Sequence, residues 1–332
     1  KCDELDPSIL DGVKADLEKL EVIASISAED IYKAEEDSDI ADVLKTMPKW
    51  NPNGRAMLPL TDDWAEHIED LKSFHRTNGY GMFAKFVAFT WRNEEFVPIT
   101  AIDSIRLTDL KNYEVQRGKV VDNTVAFISD LPANNVLLYG DRGTGKSSTV
   151  HAILNEYKNR GLRMIEISKG DINDLTMIRE KISDSPMKFI IFIDDLSFDN
   201  HDDSFGELKA ALEGSLSGRQ NNTLIYATSN RRHLIKENFS DRENDVNRSD
   251  TLQEELSLSD RFGLSITFIN PDKKDFEDIV QKIATDRGLK SDMEKILFTA
   301  EQWARRRGGR SPRCARQFID YVESCEKRNI EW

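Results

Sequence analysis

Nine residues limit the fold more than any others: GDRGTGKSS, positions 140–148. They fit the pattern G-x-x-x-x-G-K-[ST] at Gly140, Gly145, Lys146 and Ser147. They stand between an apolar run, NVLLY (135–139), and a helix-like segment, SSTVHAILNEYKN (147–159). A strand, a glycine-rich turn and a helix in that order make a cradle for phosphate. Glycines let successive backbone N–H groups converge on phosphate oxygens, and the helix N-terminus adds partial positive charge. The expected phosphate site is therefore the loop Gly140, Asp141, Arg142, Gly143, Thr144, Gly145, Lys146, Ser147 and Ser148. Lys146 is expected to reach the β and γ phosphates, and Ser147 to ligate Mg²⁺.

Such a loop needs a sheet behind it. From about residue 101 short apolar runs alternate with helical segments, which argues for a parallel sheet covered on both faces. The candidate strands are NVLLY (135–139), RMIEIS (163–168), FIIFI (189–193), TLIYAT (223–228) and LSITF (264–268). From Asp272 onward only helices are predicted, among them KKDFEDIVQKIATDRG and MEKILFTAEQWARRR. Up to about residue 60 the chain is acidic and helix-prone, with helices predicted over 11–26 and 28–47. A proline- and asparagine-rich loop follows at 47–59, then a helix beginning within 62–75 and two strands, 79–91 and 95–100, joined at RNE. Three regions result: 1–100 helical with a β-hairpin, 101–270 nucleotide-binding, and 271–332 a helical lid.

The apolar strand FIIFI ends in Asp194-Asp195. One carboxylate at a buried strand tip can hold a Mg²⁺ hydration shell and the next can orient the attacking water, so Asp194 is assigned to the metal and Asp195 to the water. RMIEIS is expected at the sheet edge, which leaves TLIYAT between FIIFI and the loop strand. Asn230, just past TLIYAT, then stands near the γ-phosphate with an amide able to donate and accept. Arg261 precedes the last strand, where it can complete a neighbouring subunit's site or form a plain surface ion pair. Arg313 starts a helix in the tail, from which its guanidinium can reach back to the nucleotide.

Together these residues resemble the AAA+ ATPases. GDRGTGKS looks like Walker A, FIIFIDD like Walker B, ATSN like sensor 1, DRF like the arginine-finger box and SPRCAR like sensor 2. The stretch 107–128 looks like the segment that packs on adenine, with Leu110 to Tyr113 as the contact. LPANNVLLYGDRGTGKSS, FIDDLSF, IYATSNRRHL and LSLSDRFGLSI are similar to a bacterial family of predicted AAA+ ATPases of unknown function. The resemblance implies a P-loop NTPase three-layer αβα core with a five-stranded parallel sheet, a C-terminal helical lid and an N-terminal α+β extension. It also implies ATP/ADP and Mg²⁺ as cofactors, slow Mg-dependent hydrolysis of ATP, and a self-assembling protein that remodels or loads an unknown protein partner. The alternative is a slow-hydrolysing ATP-operated switch or scaffold, a DNA-associated loader included, rather than a motor; a small-molecule P-loop kinase is a third reading, which Asn230, Arg261 and Arg313 fit poorly. In the family Walker B usually pairs Asp with Glu, whereas Asp195 is one methylene shorter. The 36 positions from Asp194 to Asn230 leave little room for the extra hairpin of translocating relatives, and neither that hairpin nor an aromatic pore loop is evident.

Composition narrows the partners. The net charge of −14 over 332 residues opposes a whole-surface interaction with nucleic acid, leaving two basic runs, 231–236 and 304–316, as local candidates. Nucleic acid is thus not favoured. No run approaches the ~18 apolar residues of a membrane span, and the first residues are too polar for a signal peptide, so a cytoplasmic protein is expected. Cys2, Cys314 and Cys325 form no C-x-x-C pair and are read as reduced thiols.

Overall fold

The computed structural model describes residues 7–26, 60, 63–198, 203–213, 222–230 and 260–332. The predicted helix over 28–47, the loop 47–59 and the basic run 231–236 lie outside the described residues. The chain divides into two compact units, Lys1–Thr77 and Asn78–Trp332. In the first, α1 (Pro7–Ser25) carries no buried residue, and its Glu21 carboxylate accepts the backbone N–H groups of Asp63 and Trp64 at 2.9 and 3.0 Å. Helix α2 spans Ile68–Asn78.

Among the described residues the second unit has seven strands: β1 (Ala88–Arg92), β2 (Glu95–Pro98), β3 (Val136–Gly140), β4 (Leu162–Ile167), β5 (Lys188–Ile193), β6 (Thr223–Ser229) and β7 (Leu264–Phe268). Their order is β2-β1-β4-β5-β6-β3-β7. Every pairing is parallel except that of β1 with β2. The five predicted strands are all present, each within one residue of its expected limits, and β6 lies between β5 and the loop strand as expected.

Three expectations are corrected here. The sheet has seven strands, because the β1–β2 hairpin joins it; β4 is therefore internal rather than at the edge. An apolar strand with unpaired N–H and C=O groups is a hazard, and β1 covers it with the register Ala88↔Met164, Phe89↔Ile165 and Thr90↔Glu166. The compact unit that contains the sheet runs from Asn78 to Trp332. Residues 79–87 are not strand: Gly79 and Gly81 take φ of 76° and 57°, and a single turn, α3 (Met82–Lys85), places Phe83 edge-on to Phe89, Phe96 and Phe189. The hairpin turn itself is at Asn93 and Glu94, both with positive φ, a two-residue connection that suits the twist of paired strands.

Alternation along the strands fills two layers. Phe189, Ile191 and Ile193 of β5 meet α6 (Leu175–Ile182) and α7 (Asp203–Glu213) on one face. Ile190 and Phe192 meet α4 (Glu114–Ile128) and α5 (Lys146–Tyr157) on the other. Burial on both faces is why these strands read as continuous apolar runs. Buried Arg163 of β4 donates to the carbonyls of Asn78, Phe83, Lys158 and Leu162, tying the start of the unit to the sheet. Beyond β7 come α8 (Lys273–Asp286), α9 (Met293–Arg306) and α10 (Pro312–Lys327), packed around Phe276, Ile279, Ile296 and Phe318 as a separate core. The fold is that of a P-loop NTPase with a helical lid.

Candidate nucleotide site

The phosphate loop leaves β3 at Gly140, whose φ is 126°. A Cβ there would stand 2.1 Å from the carbonyl oxygen of Phe268, so only glycine lets β7 end beside the loop. Asp141 N–H donates to that same oxygen at 2.8 Å. Farther along, Gly143 lies under the lid: a Cβ on it would meet Ser311 Oγ at 3.0 Å and Arg313 Cβ at 3.1 Å. Its carbonyl accepts the Arg313 N–H at 3.1 Å. Thr144 Oγ1 closes the loop on the Asp141 carbonyl at 2.8 Å, and Gly145 caps α5.

Lys146 opens α5 and is 5% exposed. Its ammonium donates to Gly140 O at 2.9 Å, Asp141 O at 2.7 Å and Asn230 Oδ1 at 3.1 Å, so all three protons have acceptors. Burial lowers its pKa, against which Asp141, Asp195 and Asp194 act. The carboxylates thus oppose the effect of burial and favour the charged form.

The parallel order brings the tips of β3, β5 and β6 to one edge. Ser147 Oγ donates to Asp194 Oδ1 at 2.6 Å, and Thr228 Oγ1 donates to the same carboxylate oxygen. Thr228 Oγ1 also accepts the Asp195 N–H at 3.0 Å. Asn230 Nδ2 donates to Asp195 Oδ1 at 2.6 Å, so one amide bridges Lys146 and Asp195. Asp195 itself sits in the left-handed region at φ 51°, a conformation that costs a non-glycine residue ~1–3 kcal/mol and persists where surrounding contacts fix it. Thr228 was missed in the sequence because a β-branched residue inside a strand is ordinary; only the pairing of β5 with β6 brings it to the two aspartates.

Ser147 and Asp194 are hard oxygen donors, the kind Mg²⁺ takes alongside phosphate and water. Among the described residues no group of three or more His, Cys, Asp or Glu could hold an ion. A magnesium ion on this pair would draw its remaining ligands from the nucleotide and solvent. Held there, the metal would supply charge neutralisation to a bound phosphate chain.

A cleft beside the loop is lined by Leu110 and Tyr113, as expected from the sequence, and by Arg117, Ile279, Ile283 and Arg316, which were not. Its walls come from both the core and the lid, with Leu110, Tyr113, Phe268, Ile279 and Ile283 as the apolar part. Tyr113 lies at φ 63° with its ring 5.2 Å from that of Phe268, and its hydroxyl donates to Ile269 O at 2.6 Å. Burial, then the neighbouring Asp141 and Asp275, push its pKa well above the usual tyrosine range. Arg117 donates to the Asn112 carbonyl.

Two arginines complete the account. Arg313 is at the start of α10, beside the loop, close enough for its charge to act on Lys146. Ser311 caps that helix, accepting the Cys314 N–H at 3.1 Å, with Pro312 in its first turn. Ser311→Ala is expected to lower stability by about 1 kcal/mol, read as a shift in the urea midpoint. Arg261 is elsewhere. It precedes β7, and the register Val136↔Leu264 to Gly140↔Phe268 puts it at the opposite end of the sheet from the loop, about 15 Å of strand away. The chain's own site does not include it.

Most arginines of the basic run 304–316 have partners within the fold. Arg305 and Arg310 donate to Glu301 at 3.2 and 2.6 to 2.9 Å, Arg307 lies 4.4 Å over the Trp303 ring, Arg313 lies against Gly143 of the loop, and Arg316 lines the cleft beside it. Cys314 and Cys325 are buried free thiols. Among the described residues no helix is long and apolar enough to cross a membrane.

Several solved structures follow a similar course. A RuvB variant from Thermotoga maritima aligns with a TM-score of 0.47 at 18% identity, over 68% of this chain and 67% of that one. The RuvB Holliday junction branch migration motor from the same organism gives 0.44 at 17%, over 68% and 67%. The AAA domain of FIGL-1 in complex with ADP gives 0.45 at 18%, over 69% and 76%. No curated protein matches the chain. The model of the family described as protein of unknown function (DUF815) matches residues 84–326, from the sheet hairpin through the phosphate loop to the lid, and the chain belongs to that family.

Proposed function

We propose that this chain binds ATP with Mg²⁺ and hydrolyses it, working as an assembly of copies that remodels or loads a protein partner. The observation that carries the reading is the meeting of Lys146, Ser147, Asp194, Asp195 and Asn230 at one edge of the sheet, each through a hydrogen bond to another of the set. In this reading the loop from Gly140 to Ser148 holds the phosphates and Lys146 trades its carbonyl acceptors for β and γ oxygens. Ser147 and Asp194 hold the metal, while Leu110 and Tyr113 flank the adenine. Arg313 responds to the γ-phosphate from the lid. Asp195 accepts a proton from the attacking water, and Asn230 orients both.

Slow turnover is expected. Asp195 is a methylene shorter than the glutamate usual at that position, and its Oδ1 is already held by Asn230, so it must release that amide or act through a second water. The same contact favours the second reading, an ATP-operated switch in which lid movement on binding is the output. Asp195→Asn decides where the chemistry lies: the variant is expected to bind ATP within threefold of wild type and to lose at least a hundredfold in phosphate release, the scale of a positioned general base. Retained turnover would move the base elsewhere. Tight ATP binding by wild type with no release at any protein concentration would leave the switch.

A further inference from the structure

A carboxylate is out of place in a loop that holds phosphates, since it repels the ligand the loop exists to bind. Asp141 occupies the second position of this loop, and its Oδ2 accepts the N–H of Asn270 at 2.6 Å. On the other side of the same peptide group, Ile269 O accepts the hydroxyl of Tyr113 at 2.6 Å. The oxygen and the hydrogen of one trans peptide point in opposite directions within one plane. Bonds at both ends therefore stop that plane from rotating.

The gripped peptide lies in the short connection between the end of β7 at Phe268 and Asp272, whose side chain caps α8 by accepting the Asp275 N–H. Ile269 is 63% exposed, and Asn270 is exposed. Pro271, which follows, is buried and fixes its own φ. The remaining freedom of the connection is concentrated in the torsions flanking Ile269–Asn270. Tyr113 is held for its part as well. It stands at φ 63° after Asn112 at φ 65°, an arrangement closed by Asn112 Oδ1 accepting the Tyr113 N–H, and bulky residues keep such backbone only when neighbours over-determine it.

We propose that Tyr113 and Asp141 are a positioning pair that grips both polar ends of the Ile269–Asn270 peptide and thereby sets where the lid stands over the nucleotide. The proposal rests on the reading of the loop as an ATP site. One gripping residue lines the base cleft and the other belongs to the phosphate loop, so filling either subsite acts on a residue that holds the pivot. The lid then carries Ile279 and Ile283 toward the base and Arg313 toward the phosphates.

The test is amide exchange at Asn270 in the full chain without nucleotide, paired with ATP affinity by calorimetry. Asp141→Ala is expected to speed Asn270 exchange at least tenfold. Asp141→Asn, whose amide oxygen can still accept, restores it to within threefold of wild type. Tyr113→Phe, which removes only the hydroxyl, is expected to speed it several-fold by freeing the carbonyl end. Measured against Asp141→Asn, which removes the same charge but keeps the acceptor, Asp141→Ala is expected to bind ATP at least fivefold more weakly, and Tyr113→Phe at least fivefold more weakly than wild type. Unchanged Asn270 exchange in Asp141→Ala overturns the grip, as does an Asp141→Asn variant that exchanges as fast as the alanine. If exchange responds as expected but ATP affinity does not, the pair's role over nucleotide is overturned. Absence of ATP binding by wild type is a separate failure, that of the site reading, and leaves the exchange result to decide the grip by itself.

Discussion

Lys146→Ala is expected to weaken ATP binding at least a hundredfold. The lysine is the cation nearest the expected phosphates and is held by Gly140 O, Asp141 O and Asn230 Oδ1. A hydrogen bond from a charged donor contributes about 1.5–3 kcal/mol, which by itself is a factor of ten to more than a hundred. Its removal does more, because the charges of Asp141, Asp194 and Asp195 all act at that point and would then face the triphosphate uncompensated. Calorimetry reads the loss directly. Thermal unfolding reads it independently: ligand at a hundred times its Kd stabilises a protein by about 2.7 kcal/mol, so added ATP should raise the wild-type midpoint and leave that of Lys146→Ala in place. Equal affinities would refute the phosphate site.

Lys146 and its companions were legible in the sequence for a physical reason. A phosphate loop is a local object, its glycines and lysine fixed by contacts a few residues apart, and the strand tips beside it are announced by where apolar runs stop. The expectation of β6 between β5 and β3 rests on the premise of β4 at the sheet edge; that premise fails but the placing holds, and the hydrogen bonds of Asn230 to Lys146 and Asp195 depend on it. What lay hidden is set by long-range pairing. The hairpin was visible as two strands, but alternation within a hairpin says nothing about what its outer edge meets. Its attachment to β4 is reinforced by Trp91 Nε1 donating to Asp174 at 2.8 Å, 83 positions away. Ile279 and Ile283 read as one apolar face of a helix, as they do on any core helix, and only the fold turns part of that face to the cleft. Residues 79–87 look strand-like because aromatic residues favour strands, yet two glycines at positive φ end the strand before it starts.

Arg261 carries the second large expectation, because the register of β7 on β3 takes it away from its own chain's site. If the resemblance assigns it correctly, it acts on a neighbour. Phosphate release by wild type should then rise more than linearly with protein concentration as assemblies form. Arg261→Ala should lose about a thousandfold, the contribution of an arginine that neutralises transition-state charge on a transferring phosphoryl group. ATP affinity should stay within threefold, since a residue outside the chain's own site has nothing to do with that chain's binding step. The sharper form uses two inactive variants. Asp195→Asn retains a working arginine beside a dead site; Arg261→Ala retains a working site without an arginine. Mixed at concentrations where wild type assembles, they should recover at least tenfold more turnover than either gives by itself, because some interfaces pair the intact site with the intact arginine. A mixture no more active than its components, together with wild-type turnover strictly linear in concentration, would make Arg261 a residue of the surface and the protein an ATPase or switch that works as a single copy.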